Sequence, residues 1–227
     1  MNERKIFFAI IVAAILARIF AIVMMPDAPL TDTLFHLSIT KYIIEFGAIP
    51  WAGIGSGTMP VPLFHILAAV PFIVFPIEFN LTTARMFPAI FSTLQLILSY
   101  VLLKKMFPKR WYIGFALIAM QPLLIIYGSL NYLETLASVT VLLCFYIYYC
   151  YLQTRKTMYL IVMPFALALM ALSKESATIL VPVFFIAFFY ELLVKEKIPK
   201  FAKSLERKAE YYMEKGNALQ AQESIND

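Results

Sequence analysis

Seven apolar runs, at 6–25, 61–79, 83–103, 111–130, 136–152, 158–172 and 177–194, take up most of this chain, and charge is largely confined to the gaps between them. A helix needs about 20 apolar residues to cross a hydrocarbon core, so runs of this length leave little open besides a membrane helix bundle. Composition agrees. With 62% hydrophobic and 15% charged residues and a mean hydropathy of +0.79, an ordinary soluble domain is excluded. The net charge of +5 does not point to nucleic acid, because the basic residues cluster between apolar runs, as they do in cytoplasmic loops. Cys144 and Cys150 fall inside one run and read as buried thiols, neither a disulfide nor a metal pair. Run 6–25 is too long for a signal-peptide core and lacks a clear small-x-small cleavage site, so it reads as a retained span.

Positive charge decides which runs cross, since Lys and Arg favour the cytoplasmic side. With Arg4 and Lys5 inside, the first run exits near Met25. If 61–79 then crosses, Lys104, Lys105, Lys109 and Arg110 fall outside. If it does not, fifteen of the 19 basic residues lie inside, leaving Lys41, Arg85 and Lys174 outside and Arg18 within the first span. Pro60, Pro62, Pro71 and Pro76 make 61–79 a poor continuous helix, and broken apolar segments are tolerated at membrane depth when protein covers them. The expected fold is therefore all-α. It is a polytopic membrane helix bundle of six transmembrane helices, with an outer juxtamembrane helix and a re-entrant or interfacial apolar segment. Pro88, Pro122, Pro164 and Pro182 mark expected kinks. Lys195 onward is charged and reads as a solvated tail.

Polar chemistry concentrates in 31–51, TDTLFHLSITKYIIEFGAIPW. On a helix, Phe35, Ile39, Tyr42, Ile43 and Phe46 form one apolar stripe, with Ser38, Lys41 and Glu45 opposite. Gly47 ends this helix and Pro50 prevents its resumption. Such a helix after a span lies along the bilayer surface and holds Asp32 at the boundary. Asp32 also fits a first-turn acid or N-cap. His36, four residues on, can share an ion or a hydrogen bond with Asp32. His65 reads as structural. Glu134 lies where one span reaches the outer face and the next begins, and Lys174 and Arg85 reach the same face from other spans. Each also fits a bland role: Glu134 a first-turn acid, Lys174 a snorkelling cation or a partner of Glu175, Arg85 an interfacial anchor.

The order Asp-x-x-x-His, an amphipathic helix and then Glu-x-Gly-x-Ile-Pro resembles the first outer loop of the GT-C superfamily of membrane glycosyltransferases. These include protein mannosyltransferases, aminoarabinose transferases and oligosaccharyltransferase catalytic subunits, which use polyprenyl-phosphate sugars. The resemblance implies that Asp32 is the catalytic base or a metal-binding carboxylate. Glu134, in GSLNYLETL, matches a second family acid that is usually Asp. Lys174, in ALSKESA, resembles a lysine that contacts the lipid-linked phosphate, and Arg85, in TTARMFPAIF, matches an arginine at the start of the second span. Two carboxylates suit either a divalent metal, Mg or Mn, or a base with an orienting acid.

The expected domains are a transmembrane glycosyltransferase-like module over 1–195, whose outer loop with juxtamembrane helices covers 26–82, and a charged cytoplasmic tail over 196–227. The expected activity is transfer of a sugar from a polyprenyl-phosphate or diphosphate donor to an acceptor at the outer membrane face. Asp32 and Glu134 would be catalytic, or metal ligands, and Arg85, Lys174 and His36 would bind substrate. Both termini would be cytoplasmic in a multi-pass plasma-membrane protein. Because relatives continue into further spans, a second membrane subunit is expected to supply the missing C-terminal module. The alternative is a non-catalytic truncated paralogue or partner subunit of such a transferase. A small transporter or flippase fits less well, since few polar groups continue through the spans.

Overall fold

Asn80 opens the longest helix. Its side chain accepts from the Thr83 amide at 3.0 Å, while the Asn80 amide donates to Thr83 Oγ1 at 3.0 Å, a reciprocal cap that satisfies two otherwise orphaned donors. In the computed structural model, which describes residues 3–24, 31–52, 62–130, 132–191, 193 and 210–211, every regular element is a helix. These are α1 (Glu3–Met24), α2 (Thr31–Phe46), α3 (Leu63–Val74), α4 (Leu81–Met106), α5 (Trp111–Ala119), α6 (Pro122–Tyr127), α7 (Glu134–Thr154), α8 (Thr157–Ser173), a 3-10 turn (Glu175–Ile179) and α9 (Leu180–Phe189). Three of them, α1, α4 and α7, are long and apolar enough to cross a membrane. The expected tail lies outside the described residues except for 210–211, as do 25–30 and 53–61 of the outer loop.

Helices α1 and α4 run antiparallel. Arg85, near the start of α4, donates to the Ile22 carbonyl near the end of α1 at 3.3 Å. At the other end, Lys104 lies 4.0 Å from Glu3. The chain therefore leaves α1 and enters α4 at the same end of the pair, and the stretch carrying α2 and α3 begins and ends there. With 12 residues, α3 extends about 18 Å, short of a ~30 Å hydrocarbon core. Pro71 lies inside it, and Phe75 follows in extended backbone.

Run 111–130 reads as one helix but is two. Pro122 has no amide hydrogen to continue α5 and holds Gln121 extended (φ −66°, ψ 122°), so the last carbonyls of α5 lose their helical donors. Arg18 supplies one instead. It is 4% exposed in the middle of α1. Its Nη1 donates to the carbonyls of Ala119 and Ala14 at 3.1 Å each, and its Nε to Ser92 Oγ at 2.7 Å. A cation at this depth needs such partners. Gly128 lies hard against the same serine: a Cβ there would stand 2.5 Å from Ser92 Oγ.

The remaining packing is apolar. Trp111, Phe115 and Ala119 pack on Ala14 and Leu96, with Phe7 and Tyr100 alongside. Phe64 and Ala68 of α3 meet Phe91 of α4 and Leu136 of α7. Tyr149 of α7 donates to the Lys105 carbonyl at the end of α4 (3.0 Å), so α7 runs alongside α4. Arg155, left-handed at φ 53°, turns the chain tightly into α8.

The chain divides into two compact units, Met1–Val181 and Pro182–Asp227. In the second, Phe185 stacks on Phe189 with centroids 5.4 Å apart.

Candidate active site

Helix α2 ends where its sequence requires. Gly47 sits at φ +62°, a left-handed value that glycine adopts without penalty, and its amide closes the last turn on the Ile43 carbonyl at 2.9 Å. The expected stripe is only partly the buried face. Ile39 and Ile43 pack on Ala69 of α3, with Phe35, Ile44 and Ile66 around them. Thr33, Leu37 and Thr40 are buried as well, whereas Phe46 is 65% exposed and packs against Tyr42, centroids 4.6 Å apart with the rings tilted by 37°. Packing against α3 widened the face, because α2 lies on protein along an edge where the pattern alone implied lipid.

This packing brings two histidines together. His36 Nδ1 and His65 Nε2 are 3.0 Å apart, and His65 is 0% exposed. Tyr132 meets the His36 ring edge-on at 6.3 Å. Asp32, one turn before His36, is exposed.

The second pair comes from α7 and α8. Lys174, in extended backbone (φ −161°) after α8, forms an ion pair and hydrogen bond with Glu134, the first residue of α7. Both side chains are about a third exposed. The two pairs lie in one electrostatic neighbourhood. Burial lowers the pKa of His36 to about 4, the carboxylates of Glu134 and Asp32 act against that shift, and the Lys174 ammonium adds to it. An imidazole held this low is neutral near pH 7.

Beside Glu134 opens a cavity of 260 Å³, lined among others by Gln95, Gln121, Tyr127 and Ser138. A second, of 500 Å³, shares Gln95, Leu124 and Ser138 with it and extends to Ser99 and Ala177. The surface that lines both is mostly apolar, with several polar side chains, Gln95 and Ser138 in each, contributing to it, the mixture common in ligand sites. A cavity of 660 Å³ between Glu3, Phe7, Tyr100, Lys104 and Trp111 lies at the other end of α1 and α4 and contains none of the candidate residues.

Of the five residues expected from sequence, Asp32, His36, Glu134 and Lys174 share one neighbourhood. Arg85 is 4% exposed and turned toward the end of α1. Among the described residues, no three of His, Cys, Asp and Glu gather closely enough to hold a metal ion, and Glu134 is already engaged by Lys174. His65, Tyr132 and Gln95 adjoin these groups; His65 and Gln95 stand out in sequence only as polar residues within apolar runs, and Tyr132 only as an aromatic between two of them. The family model described as dolichyl-phosphate-mannose-protein mannosyltransferase matches residues 59–205, a span that includes Arg85, Glu134 and Lys174 and begins after Asp32 and His36. No curated protein matches the chain.

Proposed function

Because the chain belongs to the dolichyl-phosphate-mannose-protein mannosyltransferase family, of the GT-C kind, we propose that it is the core of a membrane glycosyltransferase. It would move a sugar from a polyprenyl phosphate or diphosphate to an acceptor at the outer face of the cell membrane. The observation that carries this reading is the convergence of Asp32, Glu134 and Lys174 on the surroundings of His36.

In the transfer, an acceptor hydroxyl oxygen attacks the anomeric carbon, and the bond from that carbon to the phosphate oxygen breaks. Asp32, exposed on α2, takes the acceptor proton as general base. Lys174 offsets the negative charge that develops on the leaving phosphate, and Glu134 sets the position of that ammonium through their ion pair. His36, neutral, offers a hydrogen bond to a sugar or phosphate oxygen. Arg85 braces α4 on α1 and comes second to Lys174 as a phosphate contact. The cavities beside Glu134 suit the first carbons of the polyprenyl chain, which keeps the phosphate at headgroup level. A Mg²⁺ or Mn²⁺ ion would require Glu134 to leave Lys174, so the roles given are those of the side chains alone.

The same reading takes the α4 N-terminal end as the outer face. Six segments cross (α1, α4, α5 with α6, α7, α8 and α9), and α2 and α3 stay on the outer side. The antiparallel α1 and α4 and the short α3 support this arrangement.

One observation favours the alternative, a non-catalytic partner subunit. Glu134 and Lys174 satisfy one another, as a purely structural pair would. Transfer of radiolabel from a polyprenyl-phosphate sugar, in membranes containing the chain with and without a candidate second subunit, separates the two. Label in an acceptor supports the enzyme. Its absence under both conditions, with the protein folded, supports the subunit.

A further inference from the structure

We propose that His65 is a positioning residue whose hydrogen bond to His36 fixes where α2, and with it Asp32, sits against the Glu134–Lys174 pair. The inference rests on Asp32 being the proton acceptor of the proposed reaction.

Beside that bond, α2 packs on α3 through an apolar cluster, Ile39, Ile43 and Ala69 with Phe35, Ile44 and Ile66. Apolar contact is non-directional: it keeps two helices together but sets their register weakly. A hydrogen bond depends on both distance and angle. His36 and His65 supply one, Nδ1 to Nε2 at 3.0 Å, between rings tilted by 40°. Two imidazole nitrogens at that distance hold one proton between them, one ring donating and the other accepting, so the pair is formed while both rings are neutral.

The surroundings favour that state. His65 is 0% exposed on a helix of mostly apolar residues, next to Phe64 with centroids 5.6 Å apart, where a polar ring requires a partner. The charged groups facing His36 are Asp32 on its own helix, Glu134 at the start of α7 and Lys174 after α8, with the His65 ring opposite. Sliding α2 along its axis by one residue moves Asp32 by about 1.5 Å. Displacements near 1 Å in a reacting group cost rates of about 100-fold. This directional contact between α2 and α3 is thus placed one helical turn from the residue whose position matters most.

The test compares wild type, His65→Leu and His65→Gln in the full-length chain in membranes, with two independent readings. Pulsed electron resonance measures the distance between nitroxides at Leu34→Cys on α2 and Met86→Cys on α4, with Cys144 and Cys150 replaced by alanine. Sugar transfer is measured separately on chains without labels. His65→Leu should shift or broaden the distance distribution and lower kcat about 100-fold, with little change in KM for the donor. His65→Gln, which presents both an N–H and a carbonyl but has no ring to titrate, should restore the narrow distribution and recover most of the transfer.

An unchanged distance distribution in His65→Leu would overturn the proposal. So would a folded His65→Gln that behaves like His65→Leu, since the ring's own proton chemistry would then be at work. Zinc co-purifying one-to-one with wild type and absent from His65→Leu would also overturn it, as the nitrogens would hold a metal rather than a proton. If wild type transfers no sugar either with or without a candidate second subunit, the enzymatic reading fails, while the distance measurements still decide this one.

Discussion

Lys174, just past the end of α8, pairs with Glu134 at the head of α7 rather than with Glu175 beside it. The pair therefore ties two helices together at the same point where the family resemblance puts an acid and a phosphate-binding lysine. The structural duty of the pair and its proposed functional one coincide here, and the two can be separated by measurement.

Removing either partner should weaken the fold only modestly. For charges a third open to solvent, the loss is about 1 kcal/mol. The effect on transfer should be larger and asymmetric. Lys174→Met should raise KM for the donor, and Glu134→Gln should reduce kcat partially. In a double-mutant cycle on transfer, the two effects should be non-additive. Additive losses would mean that the pair does not act as a unit.

Asp32→Asn keeps the size of the side chain and still suits the first turn of α2, but it cannot accept a proton. Transfer should fall by about 10²–10⁴-fold, the range for loss of a general base, with Tm unchanged. Transfer at the wild-type rate would reduce Asp32 to an ordinary first-turn acid.

The α5–α6 break should depend on Arg18 and Gly128 together. Arg18→Leu leaves the Ala119 carbonyl and Ser92 without their donor, at a cost of about 1–3 kcal/mol. Gly128→Ala drives a methyl group into Ser92 and should cost a similar ~1–3 kcal/mol. Since both act through Ser92, the double variant should lose less than the sum of the two, read as Tm in detergent. Arg18→Lys should not rescue, because an ammonium lacks the planar fork that reaches Ser92 and Ala119 at once.

Acid should loosen the docking of α2. The pKa of His36 is lowered in the folded protein to about 4, from a usual 6.5. A depressed pKa contributes stability that is fully present above about 6.5 and is lost as pH falls toward 4, because the unfolded chain takes up the proton first. Tm should therefore fall between pH 7 and pH 5 in wild type, and fall less steeply in His36→Gln. Equal slopes would assign the acid sensitivity to other groups.

Orientation is open to a direct check. A single cysteine replacing Lys109, in a chain with Cys144 and Cys150 replaced, should react with a membrane-impermeant maleimide only after the membrane is opened. Labelling from outside in intact cells would reverse the proposed orientation of the bundle.

The helical architecture was written in the spacing of the apolar runs, since a stretch of about 20 apolar residues has few stable states other than a helix in lipid. The end of α2 was likewise legible, because glycine alone adopts the left-handed value at residue 47 without strain. Membership of the membrane transferase family could also be read along the chain. What only the tertiary structure decided are pairings between residues far apart in sequence: Lys174 with Glu134, His36 with His65, Arg18 with Ala119 and Ser92. Each depends on which helix ends meet and at what rotation, and a one-dimensional pattern of polarity does not contain that rotation. The break at Pro122 divides in the same way. Proline made a kink expected from sequence, but whether it became a bend or a full interruption was settled by a buried arginine on another helix, which satisfies the carbonyl that a broken helix leaves behind.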